Sequence, residues 1–158
     1  MVQRPTVFAI VGLVVILSFG MLAGVSAGLV DTGNLDAANF VNQPDQKGIS
    51  FVAFCFPSEQ PDESIVNITS VTENSEGEVI AIEYTVTSGP SPEEVVHKAG
   101  TPIYSQPGNT SDTVSSGTGT DVTADRSPSS PCAEGLTALK FEADQGELSV
   151  GTEKTFSP

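Results

Sequence analysis

Glu78-Val79-Ile80-Ala81-Ile82-Glu83-Tyr84-Thr85-Val86-Thr87-Ser88 is the stretch on which the fold turns. Ile80, Ile82, Tyr84 and Val86 share one parity, while Ala81, Glu83, Thr85 and Thr87 share the other. Successive side chains of a strand point to opposite faces, so this period of two predicts a half-buried β-strand with the first set on the core side. Just upstream, Ser64–Thr72 (SIVNITSVT) alternates in the same fashion, and Asn74-Ser75-Glu76-Gly77 between the two runs is turn sequence. The pair predicts an antiparallel hairpin, which Gly89-Pro90-Ser91-Pro92 brings to an end.

Working outward, Ile49–Phe56 (ISFVAFCF) is short, apolar and aromatic and stops at Pro57. It reads as a buried strand with Cys55 pointing into or along the core. On the other side, Val95–Gly100 and Thr101–Tyr104 read as shorter strands around a glycine bend. Residues 105–131 contain almost only Ser, Thr, Gly, Asp, Pro and Asn, with Val114 and Val122 as the main apolar interruptions. They are expected to form an exposed loop or a weak polar hairpin. Leu136–Glu142 and Glu147–Val150 are expected to supply closing strands. The sum is about seven or eight short strands over roughly 110 residues, which predicts an all-β, compact antiparallel β-sandwich of immunoglobulin-like size. There is no tryptophan, and the cysteine spacing is not that of antibody domains, so the expectation concerns architecture alone.

Ahead of this domain, Val7–Ala27 (VFAIVGLVVILSFGMLAGVSA) carries no charge. An apolar run of about 20 residues is long enough to cross a bilayer as a helix. Arg4 precedes it and Asp31 is the first charge after it, which favours an N-terminus inside and the rest of the chain outside. Val25-Ser26-Ala27 offers small residues to a signal peptidase, with cleavage after Ala27. Yet the run exceeds the roughly 7–15 residues of ordinary signal cores, and both outcomes stay open. Residues 1–27 are therefore a signal peptide or a transmembrane anchor, residues 28–48 a spacer or edge strand, and residues 49–158 the sandwich. A retained segment would hold the chain in the membrane through residues 7–27. Either outcome places the domain outside the cell or at its surface.

Charge supports the same placement. All 20 acidic residues lie at or after Asp31, and Arg4 is one of the 6 basic ones. The part beyond the apolar run thus sets 20 acids against 5 bases, a net −15. Such a charge repels itself at ordinary ionic strength, whereas molar salt shortens the Debye length to about 3 Å and screens it. Few lysines, many carboxylates and small Ala, Thr, Ser and Gly residues resemble the make-up of extremely halophilic proteins, the alternative being an ordinary acidic secreted protein. The same charge argues against nucleic-acid binding, which needs a basic face.

Cys55 and Cys132 are the only cysteines. An even count in an exported chain predicts a disulfide between them. Chain entropy assigns such a bridge roughly 4–5 kcal/mol. A zinc site would want further ligands, and His97 is the one histidine.

Candidates for chemistry are few. His97 is the natural suspect for acid–base work, but it lies beside Lys98 with no nucleophile context, and it is expected to be a surface residue. No Gly-x-Ser-x-Gly elbow, phosphate loop or His-Glu-x-x-His pair is present. Glu93 and Glu94 are adjacent in a Pro-rich turn and are expected to point apart and serve solvation. Asp121 with Asp125, and Asp31 with Asp36, lie in loops but lack the dense spacing of a calcium loop. The reading is a chain without catalytic residues, metal, cofactor or small-molecule substrate. Two sequons, Asn67-Ile68-Thr69 and Asn109-Thr110-Ser111, mark Asn67 and Asn109 for N-glycosylation. Asn109 sits in the polar segment, and Asn67 must face solvent from its strand.

Ile49–Phe56, the hairpin around Glu78–Ser88, and Ser127-Pro128-Ser129-Ser130-Pro131-Cys132 together resemble a class of small secreted proteins of haloarchaea. That resemblance implies export and a salt-rich surrounding, and no activity. Asp31-Thr32 and Asn39-Phe40 are also similar to the start of camelysin-like biofilm-fibre subunits. The aromatic-Ser-Asp cluster expected there is missing, and membership does not follow. Two functional classes fit the sequence. One is a non-enzymatic cell-surface or secreted domain, alone or bound to envelope proteins. The other is a filament subunit that self-associates by β-strand addition, donating residues 28–48 to a neighbour.

Overall fold

β1 (Ile49–Pro57) organises the layout, because every residue from Phe51 to Phe56 is buried. The computed structural model describes residues 46–158. The apolar run at 7–27, its cleavage point at Ala27, Asp31, Asp36 and the 28–45 part of the spacer lie outside the described residues. Among the described residues no helix is long and apolar enough to cross a membrane. Gln46–Gly48 enter the domain as irregular chain, with no edge strand there.

Among the described residues nine strands form two antiparallel sheets. After β1 come β2 (Ser64–Glu73), β3 (Val79–Ser88), β4 (Glu94–Ala99), β5 (Ile103–Pro107), β6 (Ser111–Ser115), β7 (Thr120–Asp121), β8 (Leu136–Glu142) and β9 (Glu153–Phe156). One sheet has the order β7-β5-β4-β1-β8 and the other β6-β3-β2-β9. The arrangement is all-β and sandwich-like. β2 and β3 form the expected hairpin, with Asn74 Oδ1 accepting hydrogen bonds from the Glu76 and Glu78 amides across the turn. Ile80, Ile82, Tyr84 and Val86 all face inward as their parity requires.

β1 has the continuous apolar composition of a strand covered on both faces. Its even positions Val52, Phe54 and Phe56 enter the core between the sheets, beside Val66, Ile68, Ile82, Tyr84, Val114, Phe141 and Phe156. Phe54 meets Tyr84 and Phe141 edge-on, with ring centroids 4.7 and 5.5 Å apart. Its odd positions Phe51, Ala53 and Cys55 enter a second, smaller cluster on the outer face, with Val96, Ile103 and Cys132. That outer cluster is roofed by the segment from Val122 to Ala133.

The polar stretch 105–131 therefore departs from the exposed loop or lone hairpin that its composition suggests. It finishes β5, crosses to the other sheet as β6 beside β3, returns as β7 beside β5, and then covers the outer face of β1. Ser and Thr suffice because β6 buries only its last residues, Val114 and Ser115, and its ladder supplies the rest. Glu147–Val150 is not a closing strand. Gly146 (φ 73°) and Gly151 (φ 85°) adopt left-handed backbone on either side of it, so the segment turns, burying Leu148 and exposing Val150. β9 closes the sheet instead, pairing with β2 at Ser64–Asn67.

Candidate functional site

The most elaborate polar arrangement sits over the outer cluster. Cys55 and Cys132 are disulfide-bonded, 77 residues apart in sequence. Glu94 opens β4 directly opposite Cys55. Its Oε1 accepts a hydrogen bond from Ser105 Oγ at 2.6 Å and lies 3.6 Å from the Arg126 guanidinium, while Oε2 accepts the Ala133 amide at 3.1 Å. Arg126 in turn donates to the Cys132 carbonyl at 3.1 Å. Both side chains are largely shielded, with exposures of 16% for Glu94 and 20% for Arg126. Glu93 is exposed and its neighbour is not, so the expectation that both serve solvation fails at Glu94. Strand pairing fixes Glu94 on the roofed face, and the one arginine of the domain neutralises it there.

The roof encloses an open cleft of about 800 Å³ between Ala124–Ser127 and Ser129–Ala138. Of its charged lining residues, Arg126 is engaged with Glu94 and the Cys132 carbonyl, whereas Asp125 and Glu134 are exposed. The chemistry of this arrangement is that of a clamp holding the roof to β4 and β1.

His97 corrects the sequence reading. It is fully buried rather than at the surface, because its register opposite Val52 turns it into the space between the sheets. Its ring stacks on Tyr104 at 5.4 Å, and among the described residues neither ring nitrogen has a hydrogen-bond partner. Burial lowers its pKa to about 4, partly offset by the Ser115 backbone nearby, so the ring is neutral near pH 7.

The remaining candidates separate in space. Asp121 ends β7, and its Oδ1 accepts from the Thr123 hydroxyl and amide, which hold its carboxyl below the usual range. Asp125 is exposed. Among the described residues no three His, Cys, Asp or Glu side chains gather as a metal site would require. Asn109 lies exposed in the β5–β6 connection, with its amide donating to Asp112 Oδ2 at 2.8 Å. Its main chain is pinned by the Tyr84 hydroxyl, whose pKa rises chiefly through burial. Asn67 is half-buried on the outer side of β2, flanked by Thr85 of β3 and Glu153 of β9. The clamp of Glu94 and Arg126 was missed in the sequence. Its signal was a lone arginine six residues before Cys132, in a domain crowded with acids.

Comparison with protein-family models, with curated proteins and with solved structures finds no match to this chain.

Proposed function

We propose that the chain is a non-enzymatic exported protein, displayed at the cell surface or released from it, and built for a salt-rich exterior. The observation that carries this reading is the buried Cys55–Cys132 bridge, since structural disulfides persist in oxidising compartments. It accompanies an uncharged apolar run at 7–27 and a net charge of −15 confined to the part beyond it. A carboxylate-rich surface of this kind repels itself in dilute buffer and is relieved by molar salt. At the outer cleft Arg126 is tied to Glu94 and to the Cys132 carbonyl, which favours a binding or envelope role over catalysis. Asn109, exposed in the β5–β6 connection, is the better placed of the two glycan acceptors, and Asn67 is held in a ladder on both sides.

Intact mass and N-terminal sequencing of the native protein test this reading. The expected result is recovery from the membrane or the medium, with the mass deficit of one disulfide, glycan mass at Asn109, and either Met1 retained or a start at Gly28. A full-length chain with two free thiols in the soluble interior of the cell would overturn it.

A further inference from the structure

Among the described residues β8 borders the five-stranded sheet and pairs with β1 on one side only. In an antiparallel strand the N–H and C=O of one residue point to the same side, and that side alternates along the chain. Lys140 and Glu142 point away from β1, as their partners show, and the period of two puts Ala138 on the same open side. Open ladder groups of this kind are a template for another strand.

Two side chains and one backbone amide meet them, the Glu147 amide donating to the Glu142 carbonyl at 3.1 Å. Glu147 Oε2 accepts from the Glu142 amide at 2.8 Å, and Lys154 Nζ donates to the Lys140 carbonyl at 2.7 Å. Glu147 and Lys154 are joined to each other at 2.6 Å. The pair offers β8 one acceptor and one donor, which is what the main chain of a next strand would offer at the same two groups. Lys154 reaches across from β9, the border strand of the other sheet, with its ammonium 5.2 Å from the centre of the Phe141 ring. The hydrogen bond from Lys154 keeps the Glu147 carboxyl below its usual range, so the pair stays charged in mildly acidic solution.

We propose that the Glu147–Lys154 pair is a plug that holds the β8 edge closed against β8 of a second copy of this chain. A second copy is the occupant that this edge fits without further recognition. Antiparallel pairing about a two-fold axis matches β8 to β8, donor for acceptor. In dilute buffer the net charge of −14 on the full chain also keeps copies apart. Molar salt screens that repulsion beyond about 3 Å, and the barrier that remains is the short-range one at the edge. The inference stands on the edge geometry alone and is independent of where the protein resides.

Sedimentation of the full-length chain in one detergent, with and without molar salt, tests it. Glu147→Ala combined with Lys154→Ala is expected to dimerise at least tenfold more tightly than wild type in molar salt, and the Ala138 and Lys140 amides are expected to exchange more slowly in that dimer. Adding Ala138→Pro, which removes one open donor, is expected to restore the wild-type distribution. Lys154→Arg, which keeps a donor and a charge, is expected to behave as wild type. The proposal is overturned if the double variant keeps the exchange protection of the β2–β3 hairpin yet sediments as wild type. A dimer whose Ala138 and Lys140 amides exchange at wild-type rates overturns it equally. Should the double variant lose hairpin protection, Lys154→Met keeps the stem over Phe141 and frees only the Lys140 carbonyl. Its failure to dimerise more tightly than wild type then counts against the plug.

Discussion

The inner and outer faces of the five-stranded sheet solve one problem by different means. Both must keep β1 out of water, since Phe51 to Phe56 is buried throughout. The inner face does so with another sheet, whose Val66, Ile68, Ile82 and Tyr84 arrive at strand spacing and pack against Phe54 and Phe56. The outer face is roofed by irregular chain that brings mainly Val122 and Cys132, beside Leu136 and Ala138 of β8. A segment so poor in apolar area cannot offset the entropy of its own ordering by burial alone. The molecule supplies the difference through a covalent bond and a shielded ion pair. The comparison teaches that the bridge and the Glu94–Arg126 clamp are substitutes for a missing hydrophobic layer.

Removing the bridge is the strongest way to break that equivalence. Cys55→Ala with Cys132→Ala is expected to cost about 4 kcal/mol of unfolding free energy, because the bridge closes a loop of 77 residues. Hydrogen exchange is expected to rise first in residues 122–135, while the β2–β3 hairpin keeps its protection until global unfolding. A variant that loses protection evenly over both faces would show that the roof is not a separate unit. Urea unfolding supplies the magnitude and exchange supplies the distribution.

The two faces also explain what could be read in advance. The hairpin was legible because β2 and β3 each bury one face, so alternation survives in Ile80, Ile82, Tyr84 and Val86. β1 was legible as an unbroken apolar run bounded by Pro57. β4 was harder, because its residues from Val95 to His97 are all buried and carry no alternation from which to place the histidine. The cover over Val96 comes from residues far along the chain, and local pattern holds no trace of it. β6 was hidden for the opposite reason, since only Val114 marks its core side. Closing strand β9 contributes a single buried side chain, Phe156, too little for a period of two to show.

His97 sharpens the inner face. In the unfolded chain its pKa is near 6.5, and burial lowers it to about 4 in the fold. Between those values the unfolded state binds the extra proton, so stability falls as the pH drops. The contribution is fully present above about pH 6.5 and is lost through pH 4, amounting to about 3 kcal/mol. Wild type and His97→Phe, which keeps a ring against Tyr104, are to be compared by urea unfolding from pH 8 to pH 4. The carboxylates titrate in both, so the difference between the two curves isolates the imidazole. That difference is expected to be flat above pH 7 and to favour the phenylalanine progressively below it. Parallel curves would mean that His97 meets solvent or a counter-charge before the fold opens.

Arg126 gives the smallest expected effect and the most local one. Arg126→Met keeps much of the stem and removes the hydrogen bond to the Cys132 carbonyl together with the charge beside Glu94. Glu94 retains Ser105 and the Ala133 amide, so it is not stranded. A charged hydrogen bond in a partly shielded place is worth about 1.5 kcal/mol, and the loss is expected to be of that size. If clamp and bridge do the same work, the substitution matters less once the bridge holds the roof and more when the bridge is gone. A double-mutant cycle of Arg126→Met with the cysteine-free variant measures this, read by exchange at residues 122–135. The expected coupling is about 1 kcal/mol, with the arginine more costly to lose in the absence of the disulfide. Strict additivity would separate the two devices, leaving the bridge as the roof and the ion pair as an adjustment to β4 alone.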